Sequence, residues 1–222
     1  MNKRLIIMFV AIGVTCIGKA QVVNRAGTSL KNTPVAAFSA QTPPAFAIKT
    51  NLVYWAAIVP QVTPNLGVEF GLSQKMTFNI VGAHNFWKPK PASEVGNGTG
   101  NKKMMHTLVV PEVRYWFCER FNGSSIGLHG IYAQYNVSEY DIPLLFEKEF
   151  RYEGNAFGGG ASYNYHWMIG KHFGLEFSLG LGFAFMKYEK YKCERCSESE
   201  GSFTKSYMGP TKIGINLIYV IK

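Results

Sequence analysis

The chain has almost no aspartate: Asp141 is the single one among 14 acidic residues, and the rest are glutamates. That leaves little material for the carboxylate-rich loops that hold Ca²⁺ or Mg²⁺, and neither a cofactor nor a metal centre is expected. Charged residues are also scarce, at 17% of the chain against roughly 25% in an ordinary soluble domain. After the first twenty residues no run approaches the ~20 continuous apolar residues of a membrane-crossing helix. The formal charge is +9, but no nucleic-acid-binding motif accompanies it, so a nucleic-acid partner is not expected.

What is present begins with a leader. Lys3 and Arg4, an apolar stretch from Leu5 to Ile17, and Gly18-Lys19-Ala20 make Met1 to Ala20 read as a cleaved secretory signal peptide. The stretch is too short to stay in a bilayer as a helix. The alternative, acylation of Cys16, is poorly matched by the preceding Val14-Thr15. Loss of Lys3, Arg4 and Lys19 leaves a mature charge of about +6. From Gln21 to Ala45 the chain has Pro34, Pro43 and Pro44 and no sustained period, which reads as a flexible periplasmic linker. An exported chain with few charges and no spanning helix has one route left into a membrane, the closed β-barrel.

The segment 46–222 carries the pattern for it. In FGLEFSLGLGFAFM, Phe173 to Met186, large apolar residues take every second position and Gly, Ser, Ala or Glu take most of the others. Successive strand residues face opposite ways, so this is a long strand with one greasy and one small, polar side. The alternation recurs to give eight expected strands: Ala47 to Ala57, Asn65 to Leu72, Met76 to Trp87, His106 to Cys118, Ser125 to Val137, Asn155 to Met168, Phe173 to Met186, and Thr211 to Ile221. Pro111 falls on the apolar side of the fourth and predicts a bulge. Short turns (Ser73 to Lys75, Glu119 to Ser124, Gly170 to His172) alternate with long loops.

This layout predicts an all-β fold, an eight-stranded antiparallel up-and-down transmembrane β-barrel, with periplasmic termini and extracellular long loops. A soluble lipocalin-type barrel is the rival, with the greasy side turned inward. Small residues on the other side suit a cramped lumen better than a water-facing exterior. Aromatics also gather near strand ends: Tyr54, Trp55, Phe86, Trp87, Tyr188 and Tyr191 by the loops, and Tyr115, Trp116, Phe117, Tyr165, Trp167 and Tyr219 by the turns. Two such girdles are what membrane interfaces select.

The runs KTNLVYWAA, PNLGVEFGL, PEVRYWFCERFNG, GLHGIYAQYN, RYEGNAFGGGASYNYHW and GPTKIGINLIYVIK resemble those of a Bacteroidota family known as a domain of unknown function and treated as outer-membrane-barrel-like. The resemblance spans Ala47 to Lys222. It implies a Gram-negative outer membrane and brings no activity or catalytic residue with it.

Strand parity turns six charged residues inward: Lys49, Glu69, Glu112, Arg114, Glu176 and Lys212. Three of each sign in one lumen predict a paired structural network that plugs the barrel, with Glu176 beside Lys212 and the last strand closing on the first near Lys49. Cys193-Glu194-Arg195-Cys196 is open to a loop disulfide, a redox pair or half a zinc site, and we favour the disulfide. Cys118 lies at the far end of the barrel, too distant to join them.

For catalysis, Ser162 and His166 share a face but lie about 13 Å apart along a strand, and His129 stands alone. The expected role is therefore a non-enzymatic outer-membrane subunit, structural or interacting, acting through its loops or periplasmic face. Outer-membrane lipid and lipopolysaccharide, and other outer-membrane or cell-surface proteins, are its expected partners. The alternatives are an outer-membrane lipid-modifying enzyme and a narrow channel.

Overall fold

The computed structural model describes residues 46–56, 62–86, 103–138, 150–192 and 199–221. The leader, the linker and the Cys193/Cys196 loop lie outside the described residues. Eight strands form: β1 (Phe46–Asn51), β2 (Asn65–Gly71), β3 (Met76–His84), β4 (Lys103–Trp116), β5 (Gly123–Ser138), β6 (Phe150–Met168), β7 (Phe173–Lys192) and β8 (Ser199–Ile221). Every neighbouring pair is antiparallel, and β1 pairs with both β2 and β8, so the sheet closes into a barrel.

The strand ends differ from the sequence expectation in two ways. The first strand stops at Asn51, whose side chain accepts from the Val53 amide and caps one helical turn, α1 (Leu52–Trp55). Asparagine bonding to the backbone two residues on competes with extended pairing, which is why the alternation there does not continue as strand. Conversely, β6, β7 and β8 run well past Asn155, Met186 and Thr211, so the last long loop shrinks to 193–198.

No bulge forms at Pro111. The β4–β5 ladder runs from Lys103↔Ser138 to Val109↔Tyr132 and resumes from Glu112↔His129 to Trp116↔Ser125 in the same register. Pro111 has no N–H to give, and the ladder skips it without inserting a residue. The β7–β8 ladder shifts register twice instead: Gly180 faces Lys212 and Leu181 faces Pro210, leaving Thr211 extra, and a second shift falls between Glu189↔Ser202 and Tyr191↔Ser199.

Small inward residues on β6 and β7 answer a nearer constraint than the opposite wall. A Cβ on Gly158, Gly160 or Gly182 would lie 2.2 Å from a backbone carbonyl oxygen of the adjacent strand. The two strands coil against each other too closely for any side chain there.

The barrel has two kinds of interior. At the turn end Ala47, Trp116, Phe121, Ile218 and Val220 form an apolar floor, with Met168 packed on it. Phe121 sits in the 119–122 turn at φ 59°, a strained setting for an aromatic residue, and its ring lies 5.9 Å from that of Trp116. At the other end β4 to β8 rise as a tall extension with its own small core of Tyr135, Val137 and Tyr152, flanked by Phe150, Ala156 and Tyr188. Burial, with Tyr188 beside it, pushes the Tyr135 hydroxyl up to about 12, so it stays protonated.

Two girdle aromatics therefore face inward rather than outward. Trp116 is in the floor and Tyr188 is in the upper core, whereas Trp55, Phe86, Tyr115, Phe117, Trp167 and Tyr219 are exposed outside. Trp87 lies outside the described residues.

Candidate functional site: an ion-paired lumen

Above the apolar floor the inward faces of β1, β2, β4, β7 and β8 bring the six charged residues together. Arg114 is the hub. Its Nε donates to Glu112 Oε2 at 2.7 Å, its Nη1 to Glu69 Oε2 at 3.0 Å and Glu176 Oε2 at 2.6 Å, and its Nη2 to Glu176 Oε1 at 3.2 Å. Lys49 pairs with Glu69 and reaches Glu176 at 3.5 Å. Lys212 donates to Glu112 at 2.6 Å and to Asn164 Oδ1 at 3.2 Å.

The pairing differs in detail from the expected Glu176–Lys212 neighbours. Lys212 lies opposite Gly180, while Glu176 lies opposite Asn216. Four residues along each strand separate the two pairs, and Arg114 reaches across the lumen to take the place Lys212 was expected to hold.

All six carboxylate oxygens have donors. Glu69 Oε1 accepts from Thr77. Glu112 Oε1 accepts from Ser162, and its Oε2 also accepts from Asn79 at 3.1 Å. Glu176 Oε1 accepts from Asn216 at 3.0 Å. Buried charge is tolerable when paired and hydrogen-bonded throughout, and with three charges of each sign this cluster is formally neutral. Trp116 Nε1 donates to Thr77 at 2.9 Å, so the floor is tied to the ionic layer through Thr77. The parity that locates the charges also places Thr77, Asn79, Ser162, Asn164 and Asn216 on the lumen face.

The catalytic candidates are not assembled. Ser162 donates to Glu112. His129 Nε2 is 2.9 Å from Thr211 Oγ1, and both ring nitrogens of His166 lack a hydrogen-bond partner. No group of three or more His, Cys, Asp or Glu among the described residues could hold a metal ion. Cys118 takes part in a disulfide.

A closed eight-stranded antiparallel barrel, floored by apolar side chains and filled above them by a neutral charge cluster, is the class that fold and site define. The chain matches the family described as a protein of unknown function (DUF3575) over residues 28–221, and it belongs to that family. The match begins ahead of β1 and takes in part of the Gln21–Ala45 stretch. No curated protein and no solved structure matches the chain.

Proposed function

We propose that this protein is a transmembrane barrel of a Gram-negative outer membrane, of the Bacteroidota kind, exported with a cleaved leader. In this reading its termini are periplasmic and its long loops extracellular. It acts as a non-enzymatic structural or interaction subunit, with the lumen network serving as a plug.

One observation carries the reading: the two faces of the long strands exchange polarity part-way along. On β7 the outward residues from Phe173 to Phe185 are all large and apolar, and the inward ones include Glu176 and Ser178. Past Phe185 the outward residues are Lys187, Glu189 and Tyr191, and the inward ones are Met186, Tyr188 and Lys190, the last with its ammonium over the Phe150 ring. On β6 the change falls between Phe157 and Glu153, and on β5 between Tyr132 and Gln134. Outside the lower part, Leu128 is 73% and Leu181 61% exposed, while Glu69 and Glu176 are fully buried within. A barrel surrounded by water throughout has no reason to reverse. At about 3.3 Å per residue and a tilt of about 40°, Phe173 to Phe185 climbs roughly 30 Å, the thickness of a bilayer's hydrocarbon core.

The test is expression of the full chain in a Gram-negative host, followed by membrane fractionation, N-terminal sequencing and gel mobility with and without boiling. The reading expects cleavage near Ala20, an outer-membrane fraction extracted only by detergent, and a heat-dependent mobility shift. A protein soluble without detergent overturns it.

A further inference from the structure

The outer face carries a groove of about 450 Å³ whose floor is Gly130 and Gly159, bounded by Pro111 on one side and Phe183 on the other and roofed on the loop side by Tyr132 and Phe157. The registers explain it. Gly130 lies opposite Gly159, and Gly159 opposite Phe183, so two neighbouring strands present no side chain in the same row of an otherwise bulky belt. In the next row towards the loops Tyr132, Phe157 and Phe185 stand side by side. In the row beyond that stand Gln134, Asn155 and Lys187.

Lys187 is exposed on the outer face and has no ion pair among the described residues. The nearby acids are otherwise engaged: Glu153 with Arg151 at 3.0 Å, and Glu189 with the Tyr191 hydroxyl. A cation set between Asn155 on one side and Thr204 on the other thus stands about 13 Å along the strand from a side-chain-free apolar slot. That is the outline of an amphiphile, with an anionic head and an apolar tail.

We infer that this face holds one phosphorylated glycolipid of the outer leaflet, its phosphate at Lys187 and one acyl chain in the groove over Gly130 and Gly159. The inference rests on the membrane placement proposed above. Three features fix the occupant: the free positive charge, the continuity of the groove with the apolar belt, and its position in the loop-side half of that belt. A partner protein's side chain would fill the slot but leave Lys187 unmatched.

The experiment is native mass spectrometry of the full chain purified from outer membranes in mild detergent, with the bound lipid extracted and identified. Wild type is compared with Lys187→Glu, Gly130→Leu, and Lys75→Gln at the opposite rim. A Cβ at Gly130 would meet its nearest atom, Pro111 Cγ, at 3.5 Å, an ordinary van der Waals contact, so a side chain can start there and project into the slot. Wild type and Lys75→Gln are expected to retain the glycolipid, with roughly five- to tenfold less retained by Lys187→Glu and a comparable loss in Gly130→Leu.

Equal retention by wild type and Lys187→Glu overturns the inference, as does recovery of a glycerophospholipid in place of the glycolipid. Lys187 is an exposed strand residue whose replacement leaves folding intact, so this comparison stands even if Gly130→Leu fails to fold. Outer-membrane fractionation of the same wild-type sample shows separately whether the parent reading has failed.

Discussion

The lower barrel and the extension above it are built from the same strands and obey opposite rules. Below Phe157 and Phe185 the charged residues are inside, paired around Arg114, and the outside is a belt of Leu, Ile and Phe. Above, Tyr135 and Tyr152 are buried inside, and Arg151 and Glu153 form an exposed pair outside, their side chains 42% and 54% accessible. The backbone geometry is shared, so strand formation does not decide which face is apolar. On the proposed placement the surroundings of each half do, since a change of surroundings part-way up a wall is what a bilayer surface provides.

The largest expected effect comes from the lumen of the lower half. Arg114→Met leaves three glutamates short of a donor in a buried site, and removal of one partner from a buried ion pair costs about 3–5 kcal/mol. A urea titration followed by the heat-dependent mobility shift should place the variant at least that far below wild type. Arg151→Met, in the exposed pair of the extension, should cost at most about 1 kcal/mol in the same assay. Similar losses for the two would erase the distinction between the halves.

The belt gives the next effect. Leu179→Arg, mid-way along the apolar run of β7, is expected to cost about 2–4 kcal/mol in lipid, whereas Thr204→Arg on the extension should stay within about 0.5 kcal/mol. Refolding into liposomes measures both, and a neutral Leu179→Arg would count heavily against the proposed placement. Backbone crowding comes third. Gly160→Ala forces a Cβ to 2.2 Å from the Leu181 carbonyl and should cost about 1–3 kcal/mol, while Gly82→Ala, with nothing within 4 Å of its Cβ, should be close to neutral. The smallest effect is Trp116→Phe, which removes the bond to Thr77 from the apolar floor at about 1 kcal/mol.

Much of this was legible from side-chain order alone. Period-two alternation gave eight strands and the inward parity of Lys49, Glu69, Glu112, Arg114, Glu176 and Lys212, because those are local properties of a pleated chain. The pairings were not legible, since who meets whom across a lumen depends on register, and Arg114 on β4 is long enough to cross the lumen and reach Glu176 on β7. The heights of β6 to β8 were missed for a related reason: when apolar residues change face, alternation loses phase and reads as a loop. The same loss of phase hid Tyr188, which belongs to the upper core and not to a girdle. At Pro111 the expectation of a bulge failed because a glycine on β5 makes room for the ring.

The reversal of polarity along β6 and β7 has a mechanical consequence. A strand that slips by two residues keeps every side chain on its own face, so in an ordinary sheet only the turns resist such a slide. Here the slide would draw Lys187 or Glu153 down among hydrocarbon chains, or lift Phe157 and Phe185 into water. On the proposed placement, then, the crossover row works as a depth stop: it fixes both the vertical position of the barrel and the alignment of its longest strands.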